Sequence, residues 1–299
     1  MKVLITGGAG FIGTYTKELL KREGHEVVIL DNLTTGSESN INEKDVFYKG
    51  DIHDLSVLDN ETGINVIVHL AAQIQVPVSI EDPIYDMKQN IEGTLKVLEF
   101  AKKSKVKKVI FASSAAVYGD NDNLPIQEES KLKPMSPYGI SKMTAEKYIE
   151  TLCEINNIDY VILRYANVFG PKQSTRGEGG VIRIFYDALA EDQPPQIEGD
   201  GGQTRDFIYV EDIAKAHLYS LNTSSGVYNV STNKEITINE LCKIMIQEME
   251  KNISPKHIEA RKGDIYRSKL DNTKFITASG CKPSYSVEAG IRKMIKELE

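Results

Sequence analysis

The sequence predicts an α/β protein in which a doubly wound parallel sheet is followed by a smaller α/β C-terminal part. Three observations predict it. Up to Arg164, short Val- and Ile-rich runs alternate with longer helical patterns. Most of the runs are continuously apolar, as expected of parallel strands buried on both faces. The first run passes directly into a glycine-rich turn that opens a helix, the start of a right-handed βαβ unit.

The elements follow in order. Strands are expected at residues 2–6, 26–30, 46–48, 66–70, 108–112 and 160–163, with helices at 11–22, 83–103 and 138–154 between them. Beyond Arg164 the rhythm changes. Gly170-Pro171, Gly179-Gly180, Pro194-Pro195 and the turn from Gly199 to Gly202 punctuate the chain, and helical patterns return at 210–222, 238–249 and 286–297. This second part is expected to lie over the C-terminal edge of the sheet, where folds of this class bind their ligands.

Composition narrows the function classes. The chain has 299 residues, 40% hydrophobic and 26% charged, with a formal net charge of −7. That length suffices for a large core. An acidic chain makes a poor nucleic-acid binder, because phosphate neutralisation needs a basic surface. Cys153, Cys242 and Cys281 are far apart and form no CxxC pair, so free thiols are expected, with no disulfide and no metal site. The N-terminus enters the first strand without a signal-like segment, and no apolar run approaches the ~18 residues of a membrane span. A cytoplasmic protein is expected. The run from Lys102 to Lys108 reads as a solvated helix end and loop, and His25 and His69 as packed or surface residues.

Gly7-Gly8-Ala9-Gly10-Phe11-Ile12-Gly13 satisfies GxGxxG through Gly8, Gly10 and Gly13, and GxxGxxG through Gly7, Gly10 and Gly13. The glycines allow a tight turn, close approach of backbone to a pyrophosphate, and close helix–sheet packing. The phosphates then sit on the helix N-terminus. The second strand delivers Asp31, whose carboxylate can hold ribose hydroxyls and would repel a 2′-phosphate; Asn32 and Leu33 supply no arginine to neutralise one. A Rossmann site for NAD, rather than NADP, is therefore expected.

The run 108–112 ends in Ser113-Ser114, and further on Tyr138 and Lys142 stand at i and i+4, on one face of a helix. A tyrosine titrates near ~10 and is a weak base at neutral pH. A nearby ammonium and a positive nicotinamide ring would lower that value by favouring phenolate. With Ser114 holding the substrate oxygen, the set can remove a proton from an alcohol while a hydride leaves its carbon.

Together with Gly50-Asp51-Ile52, His69-Leu70-Ala71-Ala72-Gln73, Ser113 to Gly119, Arg164 to Pro171 and Arg205 to Asp212, these motifs resemble the extended short-chain dehydrogenase/reductase superfamily, and within it the UDP-glucose 4-epimerase family, over essentially the whole chain. The resemblance implies two domains, residues 1–165 with 207–233 for NAD, and 166–206 with 234–299 for a nucleotide sugar. It implies a cofactor site of Gly7, Gly10, Phe11, Ile12, Gly13, Asp31, Asn32, Asp51, Ile52, Leu70, Ala71, Ala72, Gln73, Asn90, Ser113, Tyr138, Lys142 and Tyr165. Ser114, Tyr138 and Lys142 match the catalytic trio. Asn167, Val181, Arg205, Arg261, Asp264 and Ser268 match the nucleotide-sugar side, where arginines suit a diphosphate. Ser268 matches a wall beside the sugar's C2, small enough here to leave room for an acetamido group. Lys262 stands where the family often has proline.

Related dehydratases carry acidic residues just after the catalytic serine or threonine, and decarboxylases tend to have a glutamate there. This chain has Ala115 and Ala116. The resemblance thus implies NAD-dependent epimerisation at C4 of a UDP-hexose through a 4-keto sugar. A reductase, a decarboxylase, an epimerase acting at another carbon and a non-catalytic NAD sensor stay open as alternatives. It also implies a homodimer, formed through helices 83–103 and 138–154, with Met87, Ile91, Leu95 and Leu98 as candidate contacts. No nucleic-acid or membrane partner is expected.

Overall fold

The computed structural model describes residues 1–173, 180–260 and 265–299. Its centre is a seven-stranded sheet of β1 (Lys2–Thr6), β2 (Glu26–Asp31), β3 (Val46–Lys49), β4 (Val66–His69), β5 (Lys108–Ser114), β6 (Asp159–Tyr165) and β7 (Gly226–Val230). The spatial order is β7-β6-β5-β4-β1-β2-β3, and every pairing is parallel. The order reverses between β1 and β4, and that switch point opens a crevice at their C-terminal ends.

Alternate residues of each strand enter opposite cores. Val3, Ile5, Ile29 and Val68 pack on one face, and Leu4, Val28, Leu30 and Ile67 on the other. Double burial is why the strands read as apolar runs rather than alternating ones. Helices α1 (Phe11–Arg22), α2 (Gly93–Lys103), α3 (Pro137–Asn156) and α4 (Val210–Ser220) are threaded between the strands. The Ser136 hydroxyl caps α3, accepting from Gly139 N at 3.1 Å, with Pro137 in the first turn.

A third core joins helices Val181–Ala190, Ile238–Glu248 and Val287–Leu298 through Phe185, Leu189, Leu241, Met245, Ile291 and Met294. Short paired strands link it to the sheet: Asn167–Phe169 runs parallel to Phe207–Tyr209, and Thr204–Arg205 antiparallel to Ile236–Thr237.

Four details depart from expectation. The seventh strand, Gly226–Val230, has no counterpart in the sequence reading. The helix expected over 83–103 is two α-helical pieces joined by a π-turn at Lys88–Glu92. Leu98 is buried in the chain's own core, whereas Met87 is exposed. Lys108 is not solvated. Its ammonium donates to the carbonyls of Ser220, Leu221 and Thr223 at 3.3, 3.0 and 2.7 Å, closing the C-terminal end of α4.

Candidate active site

The loop after β1 is shaped by what its glycines exclude. Gly7 has φ +71°, and a Cβ there would stand 2.8 Å from Ala71 N, at the β1/β4 crevice. A Cβ on Gly13 would stand 2.3 Å from Gly7 O and 2.6 Å from Gly8 Cα, so only glycine lets α1 close on the loop. The α1 N-terminus has Gly10 at its cap position, with no side chain capping it and no acidic residue in its first turn. Its N–H groups and dipole therefore suit an anion. Phe11 and Ile12 follow and pack toward the third core.

Asp31 ends β2 and is buried. Its carboxylate accepts from Ala9 N at 2.9 Å and Leu33 N at 2.8 Å, tying the glycine loop to β2. Burial pushes its pKa up, partly offset by those two bonds. Asn32 donates to Asp51 at 2.7 Å, and the His53 backbone and ring also bond Asp51, at 3.0 and 2.6 Å. Burial raises the Asp51 pKa, but the hydrogen bonds outweigh it and hold the carboxyl below its ordinary value. Ile52 lies buried beside them.

Across the crevice, Leu70 N donates to Thr6 O at 3.0 Å and Ala71 N to Thr6 Oγ1 at 3.3 Å, and Ala72 follows. His69 is buried, bonding Thr6 Oγ1 at 2.7 Å and Thr94 Oγ1 at 3.1 Å. The Thr94 hydroxyl donates to Asn90 O, so the Nε2 of His69 carries the proton. Burial first, then the Lys142 charge, lowers its pKa to about 3, so it stays neutral. Asn90, inside the π-turn, is buried; its amide exchanges bonds with the Gln73 backbone at 2.9 Å and donates to Asp86 Oδ1 and Ser141 Oγ at 3.0 Å. Gln73 Nε2 also donates to Asp86, at 2.7 Å. Asn90 and Gln73 therefore brace this wall through Asp86, a residue the sequence reading missed.

The proton-transfer set meets at the C-terminal ends of β5 and β6, where the register pairs Ser114 with Tyr165. The Ser114 hydroxyl lies near enough to the Tyr138 phenol to act on its pKa, and it accepts from Ala116 N at 3.2 Å. Lys142 is buried; its ammonium donates to Ala112 O at 2.9 Å and lies 4.8 Å from the centroid of the Phe111 ring. Burial lowers its pKa to about 8, against the opposing charges of Asp86 and Glu146.

Burial pushes the Tyr138 phenol up to about 12, the nearby Ser114 hydroxyl offsets this only in part, and Asp86 adds to the rise. The Lys142 ammonium, four residues on, donates to the Ala112 carbonyl. Tyr165 is buried and bonds His217. Because the Thr16 hydroxyl donates to Ile12 O, His217 Nδ1 donates to Thr16 (2.8 Å) and Nε2 accepts from the Tyr165 phenol. Burial lowers His217 to about 3 and raises Tyr165, so that pair stays neutral. The Ser113 hydroxyl is turned to Glu146, away from the crevice.

On the other side, Asn167 is exposed beside Phe207, Val181 opens its helix after Gly180, and the Arg205 guanidinium donates to Thr204 O at 2.8 Å. Residues 266–268 run alongside: Thr204 N donates to Tyr266 O at 2.9 Å and Ser268 N to Thr204 O at 3.3 Å. Ser268 and Arg205 are thus on neighbouring segments. Arg261 and Asp264 lie outside the described residues.

A glycine cradle at an uncapped helix end, a carboxylate closing β2, and a Ser–Tyr–Lys set at the β5 and β6 ends define an extended short-chain dehydrogenase/reductase. The dinucleotide cradle fits NAD, since an added Cβ at Gly7 or Gly13 would collide with backbone. Residues 3–231 match the NAD dependent epimerase/dehydratase family, to which the chain belongs. It is similar to a Thermotoga maritima UDP-glucose 4-epimerase solved with UDP-glucose (36% identity, all of both chains, TM-score 0.96). It is similar to a UDP-N-acetylglucosamine 4-epimerase of Methanobrevibacter ruminantium solved with UDP-N-acetylmuramic acid (38% identity, 99% of this chain and 97% of that one, TM-score 0.94). A Thermus thermophilus UDP-glucose 4-epimerase solved with NAD is 35% identical over 100% of this chain and 99% of its own, with TM-score 0.92. The chain is an isomerase of this NAD-dependent nucleotide-sugar epimerase kind.

Proposed function

We propose that the chain interconverts the C4 epimers of UDP-hexoses, UDP-glucose with UDP-galactose and also the N-acetylated pair, through a transient 4-keto sugar. The observation that carries this reading is the meeting of Tyr138 and Ser114 beside buried Lys142, followed by Ala115 and Ala116, which offer no carboxylate for elimination. Ser114 holds the sugar 4-oxygen. Tyr138 takes its proton and later returns one. Bound NAD supplies the hydride acceptor and donor, and its positive ring favours the phenolate against the burial that raises Tyr138. Lys142, whose pKa burial lowers to about 8, is mostly charged beside the phenol at neutral pH. Tyr165, tied to His217, forms a neutral wall that does not compete for the proton.

In this reading residues 1–165 with 207–233 hold NAD, through the glycine loop and the residues from Phe11 to Tyr165 named above. Residues 166–206 with 234–299 hold the nucleotide, with Arg205 and Arg261 at the diphosphate and Asp264 and Ser268 at the sugar. The nucleotide stays anchored while the keto sugar turns to offer its other face. The protein works in the cytoplasm, in keeping with its three buried free thiols, and as a homodimer.

The test is incubation with UDP-glucose and UDP-N-acetylglucosamine separately, with no added NAD, followed by separation of epimers. Both substrates are expected to epimerise, and Tyr138→Phe to lose about 10³-fold in kcat with KM kept. Ser268→Tyr is expected to depress kcat/KM for the acetylated substrate selectively. No epimer from either sugar would overturn the reading; equal loss on both in Ser268→Tyr would remove Ser268 as the gate.

A further inference from the structure

Glu146 stands one turn beyond Lys142 and two beyond Tyr138 on the same face of α3. It is wholly buried. Its Oε1 accepts from the Ser113 hydroxyl and from Arg164 Nε at 3.0 Å, and its Oε2 from Arg164 Nη2 at 2.7 Å. Arg164 Nη1 reaches on to Tyr118 OH at 2.9 Å and Glu128 O at 3.1 Å. Ser113 and Arg164 are cross-strand partners, and the next pair in the same register is Ser114 and Tyr165. One carboxylate therefore joins the helix that carries Tyr138 and Lys142 to both strand ends that face them.

Resting on the epimerase reading above, we propose that Glu146 and Arg164 form a positioning pair that fixes α3 against the ends of β5 and β6, and so acts on turnover rather than on ligand binding. Stability alone is a poor account of such a pair. Removing two charges from water is costly, and well-packed apolar replacements are often neutral or stabilising. Small displacements of a reacting group cost much more in rate than in fold.

The pair also has an electrostatic side. Facing Lys142 are Glu146 and Tyr138 from its own helix, Asp86 from the helix Pro83–Met87, the neutral His69 ring from β4, and the Phe111 ring and Ala112 carbonyl from β5. Glu146 and Asp86 are the carboxylates that favour the ammonium against burial. Without Glu146 the ammonium gives up its proton at lower pH.

The experiment compares wild type, the double variant Glu146→Met/Arg164→Met, and Arg164→Lys, which keeps the charge but not the two-pronged geometry. Steady-state epimerisation is followed from pH 6 to 10 beside thermal unfolding. The double variant is expected to unfold near the wild-type temperature, keep KM within about twofold, lose at least about tenfold in kcat, and show the alkaline fall of kcat at lower pH. Arg164→Lys is expected to lose about threefold or more in kcat with KM unchanged, and it decides the matter if the double variant does not fold. Wild-type kcat and an unmoved pH profile in folded variants would overturn the positioning role. A wild type that epimerises no nucleotide sugar would instead overturn the underlying reading.

Discussion

Gly13→Ala tests the cradle directly. The added Cβ would stand 2.3 Å from Gly7 O, 2.6 Å from Gly8 Cα and 2.9 Å from Gly8 C, all backbone atoms with no rotamer to yield. Restoring ordinary contact requires α1 and the loop to part by roughly 1 Å, and overpacking of this kind costs about 1–3 kcal/mol. For a chain of this size that corresponds to a fall in Tm of about 2–5 °C. A movement of that size also carries the N–H groups of the α1 N-terminus out of the ~0.5 Å window within which hydrogen bonds hold. Losing two bonds to a charged pyrophosphate, at about 1.5–3 kcal/mol each, weakens NAD by roughly 100-fold or more. The control is Gly24→Ala. Gly24 has φ +81° but nothing within 4 Å of its Cβ, so the substitution strains the backbone without touching the loop. It should cost about 1–2 kcal/mol and leave NAD affinity unchanged. Thermal scans with and without NAD, together with NAD titration, separate the two effects. Wild-type NAD affinity in Gly13→Ala, or an equal loss in Gly24→Ala, would refute the reasoning.

Asp31 should set cofactor choice: NADP is expected to bind at least about 100-fold more weakly than NAD in titrations, with Asp31→Asn narrowing the gap, because a 2′-phosphate would face a carboxylate already fixed by Ala9 and Leu33. Asp206 is wholly buried, and burial raises its carboxyl from 3.8 to about 6 despite its bonds to Thr232. A raised acid is destabilising once charged, so its cost is absent below pH ~4 and complete above pH ~6, amounting to roughly 3 kcal/mol. The stability of Asp206→Asn relative to wild type, from urea unfolding, should therefore rise from pH 4 to 6 and level off; a pH-independent difference would contradict this. For the proposed dimer, light scattering should give twice the 33.3 kDa chain mass. Ile84→Lys/Met87→Lys, at apolar side chains exposed by 63% and 41%, should shift that mass toward one chain, and a monomeric wild type at micromolar concentration would refute the dimer.

Five of the six strands read from the sequence were legible because parallel strands buried on both faces are largely apolar, and few other local structures read that way; the sixth, the edge strand β3, is only partly buried. β7 was not legible, because Tyr228 and Asn229 interrupt its apolar run. Asn229 is accommodated inside by bonds to Tyr118, Ile126 and Asp271, contacts spread over much of the chain that no local pattern reveals. The π-turn at Asn90 has the same origin: the amide bridges Gln73, Asp86 and Ser141, and the helix winds wide to place it.

The site divided along the same line. Its glycine loop, Asp31 and the Tyr138–Lys142 spacing are dictated by local geometry, so residue order alone exposes them. The protonation of Tyr138 is not local. An ammonium four residues away in a helix can point at the phenol or at a carbonyl of the adjacent strand, and here Phe111 and Ala112 draw it to the strand. Glu146 lay between these cases. Its spacing after Lys142 was visible, but a glutamate on a helix reads as solvated until something pulls it inward. What does so is Arg164, held near the C-terminal end of β6 by the β5–β6 register and itself buried. A buried arginine needs a carboxylate within reach, and α3 presents one there. A charged residue inside an otherwise apolar strand run is thus the sequence signal that should prompt a search of the neighbouring helices for its partner.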